Sequence, residues 1–333
     1  MKPLGPIPEG YGTIDGELAI GGRPVSSLVE QEGGTPLFVY SADLIRQRMA
    51  LLRAAMPQGL GIHYAVKANP YRPVLELMRS LVDGFDVASV GELEMAVAAG
   101  QDPAAISFAG PGKRDIELER AIRHGATLNL ESAGEARRAL AIGERLGIAP
   151  RLAIRVNPAF ELRGSGMKMG GGAKPFGVDE DRVPVLAREV IAAGAEWSGL
   201  HIFAGSQAPD AEAIAEAQAN VLQLAARLTG EIGAPLPHLN MGGGFGIPYF
   251  HGDRALDLTI VGRALSERFA DMPSELEGAG FAIELGRYLV GEAGVYLTRI
   301  VDRKESHGQV FLVTDGGLHH QLAASGKIGR AHV

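Results

Sequence analysis

The stretch "GIHYAVKANP", Gly61–Pro70, places a lysine at the end of an apolar run and an Asn-Pro pair soon after it. Such a run is typical of a buried strand, and Asn69-Pro70 is typical of the loop that ends one. Lysine is rarely buried in a core unless it is paired or used in chemistry. The stretch therefore predicts a core strand that ends at a functional lysine, Lys67.

Seven further β-rich runs follow along the chain, and helical segments rich in Ala, Leu, Glu and Arg separate them. Eight strands that alternate with helices are the count of a (β/α)₈ barrel. A doubly wound open sheet is the alternative, but it usually has fewer strands. We therefore predict an α/β fold with a TIM barrel over residues 36–285, in which the seven further strands are "GFDVAS", "AISFAG", "ATLNLES", "RLAIRVN", "WSGLHIFAG", "HLNMGGG" and "FAIELG".

The chain changes character after the eighth run. Residues 286–326 contain β-rich segments with no helix between them, and the turn sequence "KESHG" separates two of these segments. This pattern indicates an antiparallel hairpin in a partial C-terminal β domain. Residues 1–35 are also strand-like and are expected to join that β domain.

The amino-acid composition excludes several classes of function. The 333 residues carry a net charge of −7, with 46% hydrophobic and 21% charged residues, so no positive field is available for nucleic acid or an anionic membrane. The absence of cysteine excludes disulfides, thiolate metal sites and a cysteine nucleophile from this chain. With no signal peptide and no apolar span of about 20 residues, we expect a cytoplasmic enzyme without nucleic-acid or membrane partners.

The carboxyl ends of the strands are where a barrel holds its active site. A lysine nucleophile, a glycine turn that offers N–H groups to an oxyanion, and a carboxylate that can pair with a pyridinium nitrogen together suggest pyridoxal 5'-phosphate. We therefore identify as candidates Lys67, Asp86, Arg155, Ser206, Gly242, Gly243, Gly244, Glu284 and Arg287.

Each candidate also has a purely structural interpretation. A lysine at a strand end often extends into solvent, and a glycine run often forms a tight turn. Glu284 and Arg287 suit a surface ion pair, and His201 suits a core histidine. His319-His320 has no third ligand within reach in the sequence, so no metal site is expected. The functional interpretation is preferred because the candidates all fall at strand ends.

Nearly the whole chain resembles the fold-type III pyridoxal-phosphate decarboxylases, which include diaminopimelate and ornithine decarboxylases. The resemblance rests on "YAVKANP", "FDVASVGEL", "IRVNP", "GMKMGGGAKPFGV", "AGSQ", "MGGGFG", "ELGRYLVGEAG" and "TDGG". It implies that Lys67 forms the Schiff base and that Ser206 and the glycine run bind phosphate. It also places Glu284 at the pyridine nitrogen and Arg287 near phosphate or substrate.

The same resemblance implies catalytic roles for Asp86 and Arg155 and a substrate-side position for Asp315. It further implies decarboxylation of an L-amino acid such as diaminopimelate, lysine or ornithine, in a homodimer with shared active sites. Lys67 must be neutral to act as a nucleophile, and desolvation at the barrel mouth is expected to lower its pKa. An alanine-racemase-like enzyme and a non-catalytic regulatory homologue are the alternatives that stay open.

Two further motifs resemble one subgroup of this family more closely. "GGGFGIPYF" and "TDGGLHHQLAASG" resemble the decarboxylases associated with the exosortase A system. Three features depart from the family pattern. Phe203 stands where a histidine usually stacks on the cofactor, with His201 two residues earlier as a further cofactor-binding candidate, and the usual Glu-Pro-Gly-Arg reads Glu-Leu-Gly-Arg. Third, relatives continue well beyond "TDGG" and carry a cysteine there. One codon choice for residues 327–333 resembles a sequencing adapter, so we interpret them as a non-native tail of a truncated chain.

Overall fold

A computed structural model describes residues 8, 10–249 and 252–320. The described chain divides into two compact units, one of which contains residues 46–249 and 252–291 while the other contains residues 8, 10–45 and 292–320. The domain boundaries expected after residues 35 and 285 stay a prediction. The proposed non-native tail, residues 327–333, lies outside the described residues.

Strands and short helices follow one another along the described chain. The strands are β1 Gly12–Ile14, β2 Glu17–Ile20, β3 Arg23–Pro24, β4 Leu37–Tyr40, β5 Gly61–Ala65, β6 Gly84–Val87, β7 Ile106–Phe108, β8 Thr127–Leu130, β9 Arg151–Asn157, β10 Met167–Lys168, β11 Val178–Asp179, β12 Glu196–Ile202, β13 Gly205–Ser206, β14 His238–Asn240, β15 Gly280–Leu285, β16 Gly294–Leu297, β17 Ile300–Ser306 and β18 Gln309–Thr314. The α-helices are α1 Val25–Gln31, α2 Ala42–Ala55, α3 Arg72–Arg79, α4 Val90–Ala98, α5 Asp115–His124, α6 Ala133–Leu146, α7 Val183–Ala192, α8 Ala211–Ile232, α9 Leu258–Ala270 and α10 Arg287–Val290.

The first unit is the predicted barrel. Its eight parallel strands pair in the order β9-β12-β14-β15-β5-β6-β7-β8, and β8 pairs again with β9, which closes the sheet. All eight runs singled out in the sequence form these strands, so the prediction of a TIM barrel is confirmed. The short strand β11 pairs with the end of β9, beyond the part that β8 covers.

Helix caps explain how the chain turns between strands. Ser89 and Ser132 begin α4 and α6, and each hydroxyl accepts a hydrogen bond from the backbone N–H three residues later. Gly125 and Gly147 end α5 and α6 in the left-handed conformation that glycine adopts without strain. Ser41 precedes α2, and its hydroxyl accepts a hydrogen bond from the N–H of Leu44.

Side chains on neighbouring strands separate into two faces. Tyr64 of β5 and Phe85 of β6 are fully buried and pack edge to face. The adjacent residues His63 and Asp86 lie on the opposite face and form an ion pair at 3.4 Å. The interior of this barrel therefore holds charged and polar groups, where many barrels are filled with apolar layers.

The second unit is built from small antiparallel sheets. β1, β2 and β3 form one sheet, and β4 pairs with β16. The predicted hairpin is confirmed as β17 and β18, whose residues are all exposed. In neither unit does a described helix combine the length and the apolar character that a bilayer-spanning segment requires.

Candidate active site

Lys67 lies just beyond β5, in a short 3₁₀ turn over Val66–Ala68. The turn is held by Tyr64, whose hydroxyl donates to the carbonyl of Asn69 at 3.1 Å. The Lys67 side chain is exposed. The expectation that Lys67 is desolvated at the barrel mouth is therefore wrong, because the turn carries the side chain past the end of the strand into solvent.

Glu284 lies near the end of β15 and is almost completely buried. Its Oε2 atom lies 3.0 Å from His201 Nε2 and accepts a hydrogen bond from Asn240 Nδ2 at 3.3 Å. Burial alone would raise the pKa of Glu284, but His201, Lys67 and Arg155 outweigh it and lower the pKa to about 2. Glu284 is therefore an ionised carboxylate, and its contacts with His201 and Asn240 both involve the Oε2 atom.

His201, expected at the cofactor, lies on β12 with 2% of its surface exposed. Its imidazole contacts Glu284, as described above. Phe203 follows β12 and lies beside the glycine run, since a Cβ added to Gly242 would be 2.9 Å from its ring. The structure thus places Phe203 against the phosphate-loop candidate and His201 against the carboxylate candidate.

Gly242, Gly243 and Gly244 form a loop directly after β14. A Cβ on Gly243 would lie 2.0 Å from the carbonyl oxygen of Glu284, and Gly244 has a φ of +88°, so side chains are excluded here. The N–H of Gly242 donates to Asn240 Oδ1 at 2.9 Å. Within the described residues the N–H groups of Gly243 and Gly244 have no acceptor. Two adjacent unpaired N–H groups on such a loop suit an anion such as phosphate.

Arg287 and Gln207 connect the loops around this site. Arg287 Nη1 donates to Gln207 Oε1 at 3.3 Å, and Gln207 Nε2 donates to the carbonyl of Ile247 at 2.6 Å. Ser206 directly precedes Gln207 and lies half-buried in β13. The hydroxyl, the guanidinium and the glycine loop therefore belong to connected segments, and this donor set fits a phosphate group.

Arg155 belongs to a buried charge cluster that sequence reasoning missed. Glu131 Oε1 accepts from Arg155 Nη1 at 2.9 Å and from the N–H of Gly110 at 2.6 Å. Glu131 Oε2 accepts from the N–H of Gly177 at 2.6 Å. Burial would raise the pKa of Glu131, but Arg155 and the other donors keep it below its ordinary value. Glu131 directly follows β8, so the strand-end rule that singled out the other candidates also applies to it.

A second buried pair adjoins the cluster. Lys113 Nζ lies 2.6 Å from Glu135, and both side chains are 1% exposed. Lys113 Nζ also donates to the carbonyls of Gly110 and Asn129. Burial lowers the pKa of Lys113 despite Glu135 and raises that of Glu135 despite Lys113. Lysine and glutamate on helical segments gave no sequence signal that distinguishes them from surface residues.

Asp315, the substrate-side candidate, belongs to the second unit. Its carboxylate accepts hydrogen bonds from the hydroxyl of Thr35 and from the N–H of Arg299. The Thr35 hydroxyl lowers the pKa of Asp315. Its expected place beside the substrate stays a prediction.

Comparison with known proteins identifies the relatives of this chain. The family described as "Pyridoxal-dependent decarboxylase, pyridoxal binding domain" matches residues 42–291. The L-glutamyl-[BtrI acyl-carrier protein] decarboxylase of Niallia circulans is 33% identical over 294 residues, which cover 87% of this chain and 69% of that protein. The diaminopimelate decarboxylase of Aquifex aeolicus is 34% identical over 317 residues, covering 93% of this chain and 73% of that enzyme.

Solved structures give the same result. Diaminopimelate decarboxylase from Helicobacter pylori in complex with L-lysine superposes with a TM-score of 0.80 at 28% identity. The superposition covers 90% of this chain and 75% of that structure. The barrel and its strand-end residues are therefore set in a fold that known decarboxylases share.

Proposed function

This chain belongs to the pyridoxal-dependent decarboxylases, and on that premise we propose that it removes the α-carboxylate of an L-amino acid of the diaminopimelate, lysine or ornithine kind. The observation that carries the proposal is the ionised Glu284 beside His201, because it suits the nitrogen of a protonated pyridine ring. Lys67, just beyond the adjoining strand β5, supplies the amine. The diaminopimelate decarboxylases among the relatives support this choice of substrate class.

The residues present fit pyridoxal 5'-phosphate. When bound, the cofactor supplies an electron sink for the charge that departing CO₂ leaves behind. Lys67 would hold its aldehyde carbon, and Ser206, Arg287 and the N–H groups of the glycine loop would hold its phosphate. Glu284 would keep the proton on the ring nitrogen, and Phe203 would offer its ring face for stacking.

Each side chain has a defined task in this arrangement. Lys67 would hold the aldehyde carbon of the cofactor through its amine, by a bond that can be reversed. His201 and Asn240 fix the Glu284 carboxylate through one oxygen, so the other is available to the ring. Glu131 fixes Arg155 as a cation at the end of β9, which suits a role in orienting a substrate carboxylate.

Racemisation of an amino acid and decarboxylation of a carrier-bound glutamyl group are the two alternative activities that the experiment below must distinguish. Alanine racemases usually pair the ring nitrogen with arginine, and the carboxylate of Glu284 favours decarboxylation instead. The relative from Niallia circulans acts on a glutamyl group carried by a protein. A substrate panel should therefore include free amino acids and carrier-bound glutamate.

The experiment begins with colour. We expect the purified protein to bind pyridoxal phosphate and turn yellow, and borohydride to bleach it and fix the cofactor to Lys67. Lys67→Ala should stay unlabelled, whereas Lys304→Ala, at an exposed position of β17, should label normally. Release of ¹⁴CO₂ from the panel then names the substrate. A labelled protein that racemises amino acids without releasing CO₂ would contradict the proposal.

We further propose a cytoplasmic homodimer that serves the exosortase A system. The support is the resemblance in "GGGFGIPYF" and "TDGGLHHQLAASG" and the family's shared-site dimers. Light scattering of the purified protein should give twice the chain mass, and a monomer at working concentration contradicts the dimer. Deletion of the gene should impair sorting of exosortase substrates, and normal sorting contradicts that link.

A further inference from the structure

The barrel interior contains a polar cavity of ≈ 330 Å³ at the amino-terminal ends of the strands. Its wall includes the first residues of β7, β8, β9, β12 and β14, which places it at the end opposite the glycine loop. His63, His238, Asn129 and Asn240 contribute polar side chains to this wall. A cavity of this size with polar side chains in its wall has room for several water molecules.

His63 links this cavity to the outside. It also lines a second, more open cavity of ≈ 440 Å³, together with Arg53, Asp83 and His238. The side chain of His63 is 14% exposed. Gly84 provides the room for the imidazole, because a Cβ there would lie 2.7 Å from His63 Nε2. Solvent can therefore reach this imidazole from the amino-terminal end of the barrel.

On its other side His63 faces a carboxylate. His63 Nδ1 lies 3.4 Å from Asp86 Oδ2, and Asp86 is 7% exposed. Neither Asp86 oxygen nor His63 Nδ1 has a hydrogen-bond partner among the described residues. Asp86 pairs with Ala65 across the strands, two residues before Lys67. Hydrogen bonds that carry protons are often long in a protein without its ligands and shorten when the site fills.

The charges around His63 favour its protonated form. Burial alone would lower the pKa of His63, but Asp86, Glu284 and Asp83 together raise it above its ordinary value. His238, whose ring centroid lies 5.9 Å away, has its pKa lowered to about 4, chiefly by burial. The surrounding carboxylates therefore favour the protonated form of His63, whereas burial favours the neutral form of His238.

We propose that His63 and Asp86 form a proton entry route from the amino-terminal cavity to the active site. The inference rests on the proposed function, because each decarboxylation replaces a carboxylate by hydrogen and so consumes one proton. His63 does not touch the reacting atoms. It orients the Asp86 carboxylate and passes the proton to it.

The proton balance is simple. His63 Nδ1–H donates its proton to Asp86 Oδ2, which leaves a neutral imidazole and a neutral carboxylic acid. The neutral ring keeps its proton on Nε2, so the free Nδ1 accepts the next proton from cavity water when the ring turns about its Cβ–Cγ bond; this restores the imidazolium and releases hydroxide to the cavity. Asp86 returns to the carboxylate when its proton passes to the substrate carbon from which CO₂ has left. One proton enters for each CO₂ that leaves.

The first test needs no turnover. We expect NMR titration of His63 Cε1–H in the purified protein to give a pKa above 6.5, and a lower value in Asp86→Asn. His124 is the matched control, since its Nε2 also lies 3.4 Å from a carboxylate, that of Glu94 on the surface. An unchanged His63 pKa in Asp86→Asn overturns the pairing on which the route depends.

The second test uses the holoenzyme. His63→Gln should lower kcat about 100-fold with KM nearly unchanged, and should abolish the decline of kcat that the unaltered enzyme shows above the His63 pKa. His124→Gln should change neither. For His63→Ala, added imidazole should enter the cavity and restore kcat at least about tenfold. If His63→Gln no longer binds the cofactor, the NMR titration of His63 and the imidazole rescue of His63→Ala decide whether the proton route exists.

Two negative results can be told apart. A yellow protein that releases CO₂, with His63→Gln as active as the unaltered enzyme and with the same pH profile, overturns the route alone. A protein that releases no CO₂ from any substrate overturns the proposed function and removes the route with it.

Discussion

Glu131 and Glu284 occupy equivalent places in one barrel but have different surroundings. Each follows or ends a barrel strand, each is buried, and each has a pKa below its ordinary value. Glu131 uses both oxygens, with Arg155, Gly110 and Gly177 as donors. Glu284 has its known contacts on Oε2 alone. The difference suggests that Glu131 holds the framework while Glu284 keeps an oxygen for chemistry.

Glu131→Gln should have the largest effect on stability. The substitution leaves the buried Arg155 guanidinium without its carboxylate and turns an amide NH₂ towards a backbone N–H. Loss of one partner of a buried pair costs about 3–5 kcal/mol, so the urea midpoint should fall markedly. Glu119→Gln is the control, because that surface carboxylate pairs with two exposed arginines and its loss should change the urea midpoint little. Equal costs for the two variants would contradict the framework role of Glu131.

Glu284→Gln should affect activity more than stability. A neutral amide cannot stabilise a protonated ring nitrogen, and the loss of such a preorganised charge costs about 10²–10³ in kcat. At neutral pH the free energy of unfolding should fall by no more than about 3 kcal/mol, the contribution that the lowered pKa of the carboxylate makes, since the amide oxygen can still face His201 and Asn240. Stopped-flow kinetics and urea unfolding of the same sample test both statements. A variant that unfolds early but turns over normally would reverse the comparison.

The sequence predicted the barrel because the strands and helices are local patterns that the barrel then joins. Lys67, the glycine run and Glu284 were predicted because a strand end fixes where a residue lies. The contact between His201 and Glu284 was not predictable, since it depends on the register between β12, β14 and β15, which lie far apart in sequence.

Two further features also escaped prediction. The exposure of Lys67 depends on a 3₁₀ turn that the alternation of apolar residues does not reveal. Lys113 and Glu135 pair across two helix starts, and their charged residue types are those of ordinary surface helices. Tertiary contacts, rather than local preference, decide both.

Acid titration should remove the stability contributions of both Glu131 and Glu284. A carboxylate whose pKa is lowered by folding stabilises the protein above its unfolded-state pKa, and this contribution is lost as the pH falls to the folded-state value. For Glu284 that window runs from 4.5 down to about 2, and the contribution is about 3 kcal/mol. We expect the free energy of unfolding to fall less steeply across this window in Glu284→Gln and in Glu131→Gln. An unchanged slope in either variant would show that its carboxylate titrates normally in the folded protein.

Asn240→Ala should give the smallest effect and tests how Glu284 differs from Glu131. Asn240 donates to Glu284 and accepts from the N–H of Gly242, so it connects the ring-nitrogen candidate to the phosphate-loop candidate. Its loss should weaken pyridoxal phosphate binding about tenfold, which corresponds to the roughly 1.4 kcal/mol of two modest hydrogen bonds. Fluorescence titration with the cofactor measures this, and Asn129→Ala, on β8, is the control with unchanged affinity. If both variants bind equally tightly, the glycine loop is positioned without Asn240, and its own packing against the carbonyl of Glu284 is sufficient.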